Sequence, residues 1–257
     1  MTISLAMILF FIGLIGAFLS GMLGIGGAIV NYPMLLYIPV LIGVGAFTPQ
    51  EVSAITMLQV LFSSLTASFA YKKSNFINKN LIIIMGSSII IGGLLGGFGS
   101  KYLTGDMINM TYGVLATLAA ILMFIPRPVQ EEHEPELRYH RILAAISAFI
   151  VGVVSGIVGA GGAFILIPIM LFFLKIPLRT TIASSLVIVF LSSIGGTVGK
   201  VMSRSILFWP TFWTVIGSLA GAPLGAKVGK KMKAKSLQYV LAILILGTAI
   251  KIWLDII

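Results

Sequence analysis

The chain has 257 residues, 58% of them hydrophobic and only 9% charged. Such a composition cannot cover a water-soluble globule of this size, and apolar runs beyond the ~18 residues of a membrane span recur along it. The net charge of +10 comes from 17 Lys and Arg against 7 Asp and Glu. These basic residues fall between apolar runs, so the bias of Lys and Arg toward cytoplasmic loops accounts for them, and a nucleic-acid partner is not expected. Cysteine is absent, and both histidines, His133 and His140, lie in the most polar stretch. Disulfides, thiolate ligands and redox centres are thereby excluded, and no metal or other cofactor is expected.

No charged side chain occurs in the first 50 residues. The opening segment therefore lacks the basic region of a signal peptide and reads as the first span. Apolar segments are predicted at about 4–29, 33–46, 51–71, 79–99 and 107–126. A polar stretch from Arg127 to Arg141 follows, with Glu131, Glu132, Glu134 and Glu136, and reads as a solvated linker. A second set is predicted at about 141–160, 163–174, 180–199, 207–226 and 236–254. The expected organisation is a first membrane repeat over 1–126, the linker over 127–141, and a second membrane repeat over 142–257.

One short pattern is written twice. Ser20-Gly-Met-Leu-Gly24-Ile-Gly26-Gly27 is followed by Pro33, and Ser155-Gly-Ile-Val-Gly159-Ala-Gly161-Gly162 by Pro168. Both copies sit inside apolar runs, at a constant offset of 135 residues. Glycine and proline at this density break a helix, and in hydrocarbon each freed backbone group needs a new partner. Breaks of this kind mark binding sites in carriers built from repeats. Farther on, at an offset of 129, Ser88, Gly92, Gly96 and Ser100 match Gly217, Gly221, Gly225 and Gly229. A small residue at every fourth position gives one helix face over which backbones approach closely, so this ladder reads as packing.

Basic residues suggest the sense of the repeat. In the first half they favour the loop 72–80 over 100–106; in the second half the matched loops reverse, with 227–235 heavier than 200–206. Matched loops then face opposite sides, as in an inverted repeat with an odd number of crossings per half. The expectation is an all-α polytopic membrane protein of two inverted repeats, each of four to five membrane segments with a broken first helix. Loop 72–80, the linker and 227–235 lie in the cytoplasm, and both termini lie outside. Only Lys200 with Arg204 runs against the charge bias. Whether 33–46 and 163–174 cross or re-enter the membrane is open.

The helix that restarts after each break offers unpaired amides and the positive end of its dipole, a ready anion site. Two such ends facing each other near the midplane hold a small anion without burying a basic side chain. The candidate contacts are Ser20, Gly24, Gly26, Gly27, Asn31, Thr56 and Gln59 in the first half, with Ser155, Gly159, Gly161, Gly162, Ser184 and Ser185 in the second. Ser20 matches Ser155 and Thr56 matches Ser185, but Asn31 and Gln59 match Leu166 and Ile188. A metal-cation path would call for intramembrane His, Cys or carboxylates, and an enzyme for a nucleophile and base at that depth. Neither set is present there.

The doubled motif, with Ala183-Ser184-Ser185-Leu186 in the second half, resembles the sulfite exporter TauE/SafE family of membrane permeases over about 10–255. The first half departs from the pattern, with Ala54-Ile-Thr56-Met. The resemblance implies movement of a small sulfur-containing anion, sulfite or an organosulfonate of the sulfoacetate or taurine-related kind, across the cytoplasmic membrane of a prokaryote. The expected partners are that small anion and the lipid bilayer, with a homodimer left open. The alternative is a carrier or channel for a carboxylate, another inorganic anion or a metal cation, with a non-transporting membrane subunit behind it.

Overall fold

The computed structural model describes residues 2–25, 27–71, 76–124, 139–204 and 206–256. Most of the predicted linker lies outside these, as does Gly26. The described chain is helical: α1 (Ile3–Leu23), α2 (Ala28–Leu41), α3 (Pro49–Tyr71), α4 (Lys79–Gly99), α5 (Gly105–Phe124), α6 (Arg141–Val158), α7 (Ala163–Phe172), α8 (Leu178–Met202), α9 (Phe208–Lys231) and α10 (Ala234–Ile256), with a 3-10 turn at Ser100–Tyr102. Among the described residues six helices, α1, α3, α4, α5, α6 and α8, are long and apolar enough to cross a bilayer. This is a polytopic helical membrane protein.

Element order repeats across the two halves, and so does the packing, with an exchange. The first helix of each half lies on the fourth helix of the other: α1 on α9, and α6 on α4. Glycine makes both contacts backbone to backbone. A β-carbon on Gly217, Gly221, Gly225 or Gly229 would overlap the main chain of α1 at Phe10, Leu14, Phe18 or Met22. On Gly92 or Gly96 it would overlap α6 at Phe149 or Val153. The ladder is thus packing, the close approach that substitutes for a hydrophobic drive between helices in lipid. Because Gly13 faces Thr214 while Gly21 faces Ala222, α1 and α9 run side by side in the same direction.

Between these pairs α3 packs on α8, with α2 and α7 tucked against them. Large apolar side chains on the outer faces, including Ile83, Ile91, Ile150 and Trp209, are exposed, as a lipid-facing surface requires. The two short helices are only about 21 Å and 15 Å long at 1.5 Å per residue, each less than a full span by itself. Each starts back alongside its predecessor: Asn31 of α2 lies against Gly16 of α1, and Gly162 at the start of α7 lies against Val151 and Ser155 of α6.

Several boundaries differ from the sequence expectation: α9 runs on to Lys231, so the expected loop 227–235 begins as helix, and the first break falls elsewhere. The first span stops at Leu23 rather than near residue 29, and Pro33 and Pro39 sit inside α2 rather than opening it. Pro33 has no N–H for the carbonyl of Ile29, four residues back. Tyr112 of α5 supplies the missing donor, its hydroxyl reaching Ile29 O at 2.5 Å. A partner 83 residues away in sequence lets the helix run through its proline.

Candidate functional site

Both breaks are built from left-handed glycine. Gly24 (φ 78°) ends α1 with its N–H bonded to Ser20 O at 2.7 Å, and Gly159 (φ 80°) ends α6 with its N–H on Ser155 O at 2.8 Å. Gly27 (φ 83°) and Gly162 (φ 83°) then open α2 and α7, with Gly161 at φ 63° between. A side chain at any of these positions costs roughly 1–2 kcal/mol in backbone strain alone. Neither restarting helix has a side-chain cap, so amides of its first turn and its positive dipole end are left for another partner.

The two breaks reach the same level of the central helix α3. A β-carbon on Gly27 would stand 3.0 Å from Gln59 Nε2, and one on Gly161 would meet Val60, the next residue, at 2.6 Å. Gly161 also abuts Val189 of α8 at 3.0 Å. The outer ends of the breaks are held by the same two helices. Gly24 rests on Ile182 and Ser185, and Gly159 on the Ser53 backbone.

The polar side chains divide into two groups. Ser20, Asn31 and Gln59 are fully buried, and the Ser20 hydroxyl and both atoms of each amide lack a hydrogen-bond partner among the described residues. Ser20 and Gln59 flank the Gly27 β-position, and Gly16, against which Asn31 packs, has its carbonyl oxygen 3.2 Å from the same point. The Gly27 β-position would be 3.3 Å from Ser20 Cβ as well as 3.0 Å from the Gln59 amide, and the Asn31 amide fills the space a β-carbon on Gly16 would take. Unpaired buried amides are costly, about 1–3 kcal/mol each, and are not kept in a protein without a reason.

The other candidate hydroxyls have partners in the backbone. Thr56 donates to Val52 O at 2.9 Å and Ser155 to Gly152 O at 3.1 Å. Ser185 reaches Gly24 O at 3.1 Å and so fastens the first break to α8. Ser184 faces α4, its oxygen accepting from Asn78 N–H at 3.1 Å. The second half has no counterpart to the amide cluster. Leu166 and Ile188 are buried where Asn31 and Gln59 would be, and Val151 stands where the first half has Gly16.

The sequence reading missed Lys200. Placed in a loop by its position after an apolar run, it belongs to the last turn of α8 and is fully buried. Its Nζ donates to Ser100 Oγ at 2.7 Å and to Ile157 O at 3.1 Å, two residues before Gly159. The signal was there: Lys200 belonged to the basic pair that ran against the charge bias.

Exchanged helix pairs around paired, glycine-built breaks, with polar groups held at membrane depth, define a polytopic membrane transporter. The family model described as Sulfite exporter TauE/SafE matches residues 9–252, and the chain belongs to that family. It is 27% identical over 218 residues to "Probable membrane transporter protein YunE" of Bacillus subtilis, covering 77% of this chain and 79% of that one. A "Probable membrane transporter protein" of Xylella fastidiosa is 28% identical over 192 residues, 74% of this chain and 69% of the relative. "Probable membrane transporter protein MJ0441" of Methanocaldococcus jannaschii is 24% identical over 199 residues, 77% and 73% respectively. No solved structure matches.

Proposed function

We propose that the chain is a secondary carrier of a small sulfur-containing anion, sulfite or a short organosulfonate, bound between the two breaks. The observation that carries this reading is the trio Ser20, Asn31 and Gln59, fully buried with polar atoms unpaired among the described residues, Ser20 and Gln59 at the left-handed glycine that opens α2 and Asn31 beside them on Gly16. The ligand's oxygens accept from the amide groups and from first-turn N–H groups, while the dipole ends of α2 and α7 balance its charge. Glycine at Gly27 and Gly161 lets that backbone come into contact with the ligand. The family's description supports sulfite and its relatives as the substrate class.

The exchanged packing of α1 on α9 and α6 on α4 supports an inverted repeat, with the two short helices as the moving parts of alternating access. On the charge bias, the 127–141 linker and the lysine-rich 227–235 stretch face the cytoplasm and both termini face outward. Proteoliposomes loaded with sulfite, with a short sulfonate or with chloride test the reading. Wild-type protein should release the sulfur anions in a saturable manner, and Asn31→Leu should abolish that release. Flux of chloride or a carboxylate, with none of the sulfur anions, would sink the substrate assignment.

A further inference from the structure

We propose that Lys200 is a second contact for the transported anion, a station at the mouth of the α6–α7 break; the proposal rests on the anion-carrier reading above. Lys200 carries a fully buried side-chain amine that no carboxylate pairs with among the described residues. Protonated, as an anion beside it would hold it, the amine has three N–H donors. Two are taken, one by the Ser100 hydroxyl at 2.7 Å and one by the Ile157 carbonyl at 3.1 Å. Both acceptors are neutral. The end of α6 adds the negative pole of its dipole, worth about half an elementary charge. One donor and roughly half the charge are left without compensation.

A cation buried in that state is expensive, and at membrane depth such residues mark ion and substrate pathways. A helix cap alone does not call for it. Ser53 already donates to the same Ile157 carbonyl at 2.8 Å. Nor does the repeat demand it, since the matched position in the first half is Tyr71. An oxoanion at the ammonium completes the third hydrogen bond and the charge together, a charge-assisted contact stronger than a neutral one.

The placement fits a path. Ser53, which shares Ile157 O with Lys200, lies on α3 six residues before Gln59. That is about 9 Å along the helix axis. Lys200 therefore lies one step along α3 from the amide cluster, at the Gly159 end of the second break. The site takes a small anion with several acceptor oxygens, held by the ammonium with the Ser53 and Ser100 hydroxyls close by.

Purified wild type, Lys200→Gln and Lys200→Arg are titrated with sodium sulfite and, at matched ionic strength, sodium chloride, with thermal stability as the readout. Wild type and Lys200→Arg should be stabilised by sulfite over the same concentration range, and Lys200→Gln should need about tenfold more. A Lys200→Gln curve that is merely offset downward, with an unchanged sulfite midpoint, would make Lys200 a structural cap and overturn the proposal while leaving the carrier reading intact. A wild type that sulfite and short sulfonates leave unmoved would overturn the carrier reading itself. Should Lys200→Gln fail to fold, ¹⁵N-lysine NMR of the wild type decides. The Nζ resonance missing from Lys200→Arg should shift with sulfite and not with chloride, and a resonance that stays put overturns the proposal.

Discussion

Replacing Gln59 with leucine separates a residue kept for ligand binding from one kept for packing. The side chain is fully buried on α3 beside Gly27, and neither amide atom has a partner among the described residues. In the empty protein the amide bears a desolvation cost of about 1–3 kcal/mol with nothing to offset it. Leucine is one bond shorter than glutamine but branched and at least as bulky, so it removes that cost while leaving the volume nearly filled. Gln59→Leu should therefore stabilise the anion-free protein by about 1–3 kcal/mol, which for a chain of this size is roughly 2–4 °C in Tm per kcal/mol. The same substitution should remove the upward Tm shift produced by sulfite, because linkage stabilises only what binds. The assay is a thermal-unfolding series in detergent with and without the anion. A Gln59→Leu protein that is less stable than wild type when empty, yet still responds to sulfite, would refute the argument.

Other predictions follow from the packing. Gly225→Leu places a side chain on the α1 backbone at Phe18 and should cost most of the folded yield in size-exclusion chromatography. Gly247→Ala meets nothing within 4 Å and should leave yield and flux at wild-type levels. Tyr112→Phe strips the Ile29 carbonyl of the donor it needs because of Pro33, and should lower stability by about 1–3 kcal/mol in thermal unfolding. A reporter fused after Ile257 should read as extracytoplasmic, and a cytoplasmic signal would contradict the proposed orientation.

Most of the architecture was legible because it rests on periodic or repeated features. Hydropathy and length mark the spans, and a glycine motif written twice in register marks both breaks. The ladder Gly217 to Gly229 announces its own contact, since four small residues on one face have little other use in lipid. What escaped depends on partners distant in sequence. Pro33 looks like a helix start until Tyr112 is found on its orphaned carbonyl. Thr56 and Ser155 resemble Ser20 as residue types, and only the hydrogen bonds separate hydroxyls turned onto their own helix from one left unpaired. Asn31 and Gln59 stand out for lacking matched partners in the second half, yet the placing of Asn31 on Gly16 and of Gln59 at Gly27 needs the fold of α2 back onto α1. Lys200 stands where an apolar run ends and so reads as a loop residue, but α8 continues past that point and buries it.

Selenite offers the most direct measurement. It has the pyramidal shape and charge of sulfite and an anomalous X-ray signal that identifies its position without refinement of the surrounding model. Crystals of the protein grown with selenite should show a selenium peak within hydrogen-bonding reach of the Asn31 and Gln59 amides, between the starts of α2 and α7. Anomalous peaks confined to surface lysines, with none between the two glycine breaks, would contradict a substrate site there.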